Sequence, residues 1–307
     1  MRADKGGYVM KYIQLIYNPM AGSRTFKTRL DALIEIIEKK GFELRIWRTR
    51  SEEDFNMFFK EGSFDECEAI LIAGGDGTVN QAVNAMMENE IKRPVGVIPA
   101  GTANDFAQHL GIPANFTEAF EVIGQMKIRK MDIAIVNGQY FVNVCGGGLL
   151  TSIAHTIEPE FKNTLGKLAY YIKGVQQIPK FKSQKVRITT DQQVYEDEFY
   201  LFIVLNGSSA GGFNRVGEYA SMRDGKLDFV GFKACSMNEI PGVFAKMMRG
   251  EHLEDKNILY FQSRKIYIEC LEEDGFPADV DGELGPKYPL DIKVIPEGME
   301  FIVKTGS

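Results

Sequence analysis

Ala69-Ile70-Leu71-Ile72-Ala73-Gly74-Gly75-Asp76-Gly77-Thr78-Val79-Asn80 is the stretch that decides how this chain reads. Its apolar run, Ala69 to Ala73, has no polar alternation, so both faces must be covered. That predicts a buried strand of a parallel sheet. A glycine-rich turn follows at once, and beyond it Val79, Ala82, Val83, Met86 and Met87 recur at helical spacing. Strand, tight loop and helix in this order bring a helix N-terminus to a nucleotide phosphate. The glycines leave backbone N–H groups open to phosphate oxygens, and Asp76 adds a carboxylate for a phosphate-bound Mg²⁺. The plain alternative is a glycine turn that only joins strand to helix. It loses weight because two further loops of the same kind occur at equivalent places.

Outward from that stretch, strand and helix alternate. Tyr12 to Tyr17 predicts a first strand, followed by the turn-rich loop Asn18-Pro19-Met20-Ala21-Gly22-Ser23. Phe26, Leu30, Leu33, Ile34 and Ile37 mark the buried stripe of a helix that Gly41 ends. Phe42 to Trp47 is the second strand and Glu52 to Phe59 the second helix. Val95 to Ile98 is the fourth strand, and Pro99-Ala100-Gly101-Thr102-Ala103-Asn104-Asp105-Phe106 leads from it into another helical segment. Such alternation implies a parallel sheet with its ligand crevice beyond the strands' carboxyl ends. The loops 18–23, 74–80 and 99–105 all leave such ends.

The pattern changes near Lys130. Met131 to Val136, Asn137-Gly138 and Gln139 to Cys145 read as a hairpin with a tight turn. Further strands are expected at 185–190, 194–205, 227–232, 264–270, 290–295 and 299–304. The expected fold is therefore α/β plus β. A Rossmann-like nucleotide-binding domain, 1–130, is joined to a predominantly antiparallel β-sandwich domain, 131–307, whose final strands are free to return to the first.

Composition narrows the function classes. Of 307 residues, 25% are charged and the formal net charge is -6, which argues against a general nucleic-acid binder. Cys67, Cys145, Cys235 and Cys270 are scattered and form no C-x-x-C pair, as expected of buried thiols in a reducing compartment. There is no apolar signal segment and no apolar run of about 18 residues, so a cytoplasmic location is expected. His109, His155 and His252 lie far apart and match no zinc spacing. Ser208 and Ser209 beside glycines form no hydrolase elbow.

The pair Gly74-Gly75-Asp76-Gly77-Thr78-Val79-Asn80 and Pro99-Ala100-Gly101-Thr102-Ala103-Asn104-Asp105-Phe106-Ala107 resembles the catalytic-domain signature of the soluble bacterial diacylglycerol kinase and lipid kinase family. The likeness continues through Asn206-Gly207-Ser208, Gly211-Gly212, Asp224-Gly225-Lys226-Leu227-Asp228, Gly250-Glu251-His252 and Asp281-Gly282-Glu283, nearly the whole chain. It implies an ATP domain joined to a β-rich lipid domain. NAD kinases share the Gly-Gly-Asp-Gly loop, but the Gly-Thr-Ala-Asn-Asp-Phe run favours the lipid branch. Two departures stand out. Glu218-Tyr219-Ala220 replaces a proline-containing approach, and Gly146-Gly147-Gly148-Leu149-Leu150 lacks the usual aromatic and acidic residues after the glycine.

The resemblance implies site residues. Asn18, Pro19, Gly22, Thr49, Gly74, Gly75, Asp76, Gly77, Thr78, Asn80 and Thr102 fall to ATP, although Asn80 could instead hold two loops together. Asp224, with main-chain oxygens of Ser221 and Lys226, falls to a structural Mg²⁺. One carboxylate with carbonyls and waters suits a hard cation of modest affinity. A turn before the next strand would account for Asp224-Gly225 equally well. In Asp281-Gly282-Glu283 the glycine lets the backbone turn sharply. By family match Glu283 is the proton acceptor, and Asp281 supports the site or helps the metal. A solvated acidic turn is the plain alternative.

The expected function is ATP-dependent phosphorylation of diacylglycerol to phosphatidic acid by direct transfer. Its rivals are another lipid or a sphingoid base, NAD phosphorylation, and a non-catalytic nucleotide-dependent regulator. A homodimer is compatible with this reading. From Phe161 to Arg187 there are seven basic residues and no Asp or Glu, with Leu165, Leu168, Ala169, Ile172 and Val175 at helical spacing. That segment could make transient contact with anionic lipid at a membrane surface, or be a core-facing helix with a basic outer side.

Overall fold

The computed structural model describes residues 11–22, 24–148, 183–210, 213–214, 216–272 and 277–306. Most of segment 161–187 lies outside them. The described residues within Met1–Arg129 and Met299–Ser307 form one compact unit, and those within Lys130–Gly298 a second.

In the first unit the strands are β1 (Tyr12–Tyr17), β2 (Glu43–Arg48), β3 (Cys67–Gly74) and β4 (Val95–Pro99). Between and after them come the helices α1 (Leu30–Lys39), α2 (Glu52–Glu61), α3 (Asp76–Glu88), α4 (Asp105–His109) and α5 (Phe116–Gly124). The strands pair in parallel in the order β2-β1-β3-β4. Ile13, Leu15, Ile16 and Ile70 to Ala73 are buried, as their unbroken apolar runs require of strands covered on both faces. Each such Leu or Ile side chain contributes about 1.5–3 kcal/mol by leaving water. Leu33 and Ile37 of α1 join Leu15, Leu71, Phe120 and Ile123 in one core. Strand order 2-1-3-4 reverses direction between β1 and β3. The loops after those two strands therefore diverge at the topological switch point, where open α/β sheets bind ligands.

The second unit is antiparallel. β5 (Ile128–Val136) and β6 (Gln139–Phe141) form a hairpin whose turn residues, Asn137 and Gly138, have φ of 48° and 94°. Positive φ at both is what the tight Asn-Gly turn requires. β7 (Val144–Gly148) and β8 (Gln184–Thr190) both pair with the long β9 (Val194–Leu205). Short β10 (Ser209–Ala210) and β11 (Phe213–Asn214) pair with each other. β12 (Leu227–Lys233) lies against β9 and against β13 (Ile258–Ser263), which follows α6 (Ile240–Arg249). β14 (Lys265–Cys270) joins β8, and β15 (Asp279–Val280) with β16 (Glu283–Leu284) extends the β7 edge. The core here is aromatic and aliphatic, centred on Phe141, Phe199, Phe202 and Phe229.

Two expectations need correcting. Gln139 to Cys145 reads as one hairpin strand, yet β6 ends at Phe141 and Val144 begins β7, which pairs with β9 and β15 instead of β5. At the break the Asp281 carboxylate accepts the N–H groups of Val142, Asn143 and Val144. Residues 290–295 and 299–304 read as two strands because Pro296-Glu297-Gly298 looks like a break, yet β17 runs unbroken from Leu290 to Ile302. Glu297 takes the strain locally at φ 51°, and its N–H donates to the buried Asp132 carboxylate at 2.9 Å. That bond holds the residue of positive φ, and farther along the strand Phe301 pairs with Val95 of β4, both within the first unit.

Candidate active site

Three loops leave the carboxyl ends of β1, β3 and β4, and backbone contacts bind them together. Asn18 N–H donates to Ala73 O at 3.2 Å, and Ala100 N–H donates to Gly74 O at 3.0 Å. At Gly22, φ 47°, an added Cβ would lie 2.2 Å from Ala100 O. A Cβ on Gly101 would lie 2.3 Å from Gly75 Cα. Backbone this close cannot yield to a side chain, so glycine is required at 22 and at 101.

α3 begins directly at this junction. Gly75 is its N-cap, extended at φ -92° and ψ -176°, and it offers no side-chain cap. The amides of the first turn therefore have no intrahelical acceptor and present the positive end of the helix dipole. Asp76 opens the helix, and its Oδ1 accepts the N–H of Phe106 in the first turn of α4 at 3.0 Å. This bond, thirty residues apart in sequence, physically joins the Gly-Gly-Asp-Gly and Gly-Thr-Ala-Asn-Asp-Phe motifs. Asn104 closes the second loop on itself: it accepts from Gly101 N–H at 2.8 Å and donates to Gly101 O at 3.0 Å.

The other residues expected at the nucleotide take varied places. Asn18 Oδ1 accepts Met20 N–H at 2.9 Å, which shapes the first loop. Pro19 is half-buried and Thr102 exposed, both in the loops themselves. Thr49 is buried just after β2, its N–H donating to Tyr17 O at 3.0 Å. The Thr78 side chain sits beneath Gly74, where an added Cβ would come within 2.5 Å of it. Asn80 is buried inside α3, and Asn84 Nδ2 donates to both its Oδ1, at 3.0 Å, and its main-chain O, at 2.9 Å.

In the second unit, Asp281 and Gly282 form the two-residue turn between β15 and β16, at φ 50° and 90°. The Asp281 carboxylate is fully engaged. Oδ2 accepts Val142 N–H at 2.8 Å, while Oδ1 accepts Asn143 N–H at 3.0 Å and Val144 N–H at 2.8 Å. Its own N–H returns to Val144 O at 2.9 Å. Asp281 thus clamps the turn to the start of β7, and Glu283 follows at the head of β16, exposed. Burial pushes the neighbouring Cys145 thiol far up, with Asp279 and Asp281 adding to it, so this cysteine is inert.

The loop expected to hold a metal is shaped by a carboxylate that sequence reasoning passed over. Asp132 is buried. Its Oδ2 accepts Gly225 N–H at 2.8 Å, its Oδ1 accepts Glu297 N–H, and its N–H donates to Met222 O at 2.7 Å. An acid within the apolar run Met131 to Val136 was the available signal. Asp224 is exposed at the tip, and its Oδ1 accepts Lys226 N–H at 3.0 Å. Ser221 is half-buried beside it. Among the described residues no cluster of three or more His, Cys, Asp or Glu could hold a metal alone. Nearby, Asp228 is buried and accepts from Tyr260 Oη at 2.6 Å and Gln262 Nε2 at 3.1 Å, with burial raising its pKa. His252 is wholly buried, its Nε2 3.0 Å from Val216 O, and burial lowers its pKa.

Both halves of the chain resemble known proteins. Residues 12–136 match the diacylglycerol kinase catalytic domain, and residues 144–303 the YegS C-terminal NAD kinase beta sandwich-like domain. The diacylglycerol kinase of Bacillus subtilis (strain 168) is 35% identical over 281 residues, 91% of this chain and 92% of its own. That of Staphylococcus carnosus (strain TM300) is 32% identical over 290 residues, 94% of each chain. The crystal structure of a diacylglycerol kinase from Bacillus anthracis str. Sterne superposes with a TM-score of 0.80 at 30% identity, covering 96% of this chain and 98% of the other. This chain therefore belongs to the diacylglycerol kinase family, and it is a lipid kinase.

Proposed function

We propose that the chain transfers the γ-phosphoryl group of ATP to the free hydroxyl of diacylglycerol, giving phosphatidic acid. The observation that most supports this is the junction at the switch point, where the uncapped N-terminus of α3 and two glycine loops are joined through Asp76 and Phe106. Diacylglycerol is chosen among lipid alcohols because the relatives that match nearly end to end are diacylglycerol kinases.

Transfer to an alcohol needs placement in line, neutralisation of phosphate charge, and a group that takes the hydroxyl proton. First-turn amides of α3 and the backbone of Asn18, Pro19, Gly22, Gly74, Gly75, Gly77 and Thr78 hold phosphate oxygens, with Thr102 at the rim of the same loops. Thr49 and Asn80 add fixed polar partners for the nucleotide. Asp76 spends one oxygen on Phe106 N–H, and its charge would face Mg²⁺–phosphate when these are bound. When bound, Mg²⁺ neutralises charge on the phosphates. Glu283 accepts the proton of the attacking hydroxyl, and Asp281 fixes the turn that presents it. The second oxygen of Asp224 with the carbonyls of Ser221 and Lys226 is a set of hard donors that fits a weakly held Mg²⁺.

No helix among the described residues is long and apolar enough to cross a membrane. We place lipid access in transient contact between segment 161–187 and an anionic surface. Vesicle sedimentation should rise with anionic lipid and weaken with salt. Charge reversal at Lys167 and Lys173 should lower activity on vesicles more than on a short-chain soluble substrate, and equal losses on both would remove the segment from this role.

The acceptor assignment is tested with labelled ATP against vesicles containing diacylglycerol or a sphingoid base, and separately against NAD. Label in phosphatidic acid supports the proposal. NAD is included because the second domain matches an NAD-kinase-like sandwich, and label in NAD with none in any lipid would overturn the assignment.

A further inference from the structure

We infer that Asn104 is a positioning residue for the nucleotide, an inference that rests on the ATP assignment made above. Asn104 is the N-cap of α4 yet makes no capping bond with its side chain. It stands in the left-handed region at φ 53° and ψ 40°, a conformation that asparagine tolerates better than most residues. Its side-chain amide is spent wholly on one residue three positions back. Gly101 N–H donates to Oδ1 at 2.8 Å, and Nδ2 donates to Gly101 O at 3.0 Å.

The consequence lies in what Gly101 touches. Its backbone packs on Gly75, the N-cap of α3, closely enough that an added Cβ would lie 2.3 Å from Gly75 Cα. That same Cβ would lie 2.9 Å from Asn104 Oδ1, so the glycine is held between clamp and helix end. Downstream, Phe106 N–H is held by Asp76, the first residue of α3. The loop 101–106 is thus fixed to the head of α3 at both ends. At one end the link is a direct carboxylate bond, and at the other it runs through Asn104 and Gly101. Thr102 hangs between these two anchors. Asn104 sets where Gly101 and Thr102 stand relative to the open amides of α3, without itself reaching the phosphates.

Three variants separate the clamp from the backbone conformation. Asn104→Gly keeps the left-handed conformation and removes both side-chain bonds. Asn104→Asp keeps an acceptor for Gly101 N–H but faces Gly101 O with an oxygen. Asn104→Ala loses the bonds and strains the backbone as well. Titration calorimetry with ATP and Mg²⁺ would be run on each, beside KM and kcat for ATP and KM for diacylglycerol in vesicles, with thermal unfolding as a control. A loosened loop should weaken ATP binding about tenfold in Asn104→Gly, roughly 1.4 kcal/mol. The thermal midpoint measured without ATP should fall by only a few degrees, the lipid KM should stay near wild type, and Asn104→Asp should fall between. If Asn104→Gly binds ATP as tightly as wild type while Asn104→Ala does not, the residue serves only its backbone conformation and the inference fails. If the wild type itself binds no ATP, the nucleotide assignment fails instead.

Discussion

Replacing Asp76 with asparagine separates the bond its carboxylate makes to Phe106 from the metal–phosphate role proposed for it. Asp76 Oδ1 accepts Phe106 N–H at 3.0 Å, and an asparagine oxygen reaches the same position. The bond therefore survives but loses its charge, falling from about 1.5–3 to about 0.5–1.5 kcal/mol. Removing a negative charge from the first turn of α3 costs about 0.3–1 kcal/mol more. The sum, about 1.3–2.5 kcal/mol, should lower the thermal midpoint of the first unit by about 5–10 degrees. Turnover should respond very differently. If the carboxylate faces metal-bound phosphate, its loss should reduce kcat by about a hundredfold or more, the scale on which single electrostatic groups act in transition states. The assay is steady-state phosphorylation of diacylglycerol in vesicles, with unfolding followed in parallel. Asp76→Ala is the companion variant: it also strands Phe106 N–H and should unfold several degrees lower still. Asp76→Asn with near-wild-type kcat would reduce Asp76 to a loop tie and refute the reasoning.

Further outcomes follow from the same geometry. Gly101→Ala puts a methyl against Gly75 Cα, so ATP affinity should drop at least about tenfold, measured by calorimetry, while unfolding of the second unit is unchanged. Asp281→Ala leaves the amides of Val142, Asn143 and Val144 without their acceptor, at about 1–3 kcal/mol for each that stays unsatisfied. Its unfolding midpoint and turnover should fall together, whereas ATP affinity should hold. A normal midpoint would show that the clamp carries little. His252 gives a pH signature. Burial keeps its folded-state pKa below the ordinary 6.5, so the unfolded chain takes up the proton first as pH falls. Stability from this group is full above about pH 6.5 and declines below it, and His252→Gln should flatten the midpoint-versus-pH slope below about pH 6.5.

The parallel sheet could be read in advance because its strands are unbroken apolar runs between glycine-rich loops, and buried β1, β3 and β4 leave little alternative. The Asn137-Gly138 hairpin was equally plain, since the dipeptide meets the φ demands of its turn. The α6 helix escaped notice because Pro241 and Gly242 stand in its first turn, and β13 because Ile258 to Gln262 lacks clear alternation. What decides the site was least visible. The Asp76–Phe106 bond and the Asp281 clamp join residues 30 and up to 139 positions apart, and no local pattern signals such pairs. Asp132 is likewise ordinary in sequence until its partners are known, and the Gly-Thr-Ala-Asn-Asp-Phe run gives no sign that Asn104 bonds back to Gly101. The Asp224 loop was found by motif, but the buried acid that shapes it was not.

Direct transfer with Glu283 as proton acceptor is the central claim, and a single-turnover experiment tests it most directly. Enzyme in excess would be mixed with γ-labelled ATP on vesicles containing diacylglycerol, then quenched at short intervals. Label should leave ATP and enter phosphatidic acid with one rate constant, and none should reside on the protein. Glu283→Gln should slow both processes equally, by about a hundredfold, with ATP affinity unchanged because a base acts only in the chemical step. Label trapped on the protein, or a Glu283→Gln enzyme that transfers at the wild-type rate, would contradict the account.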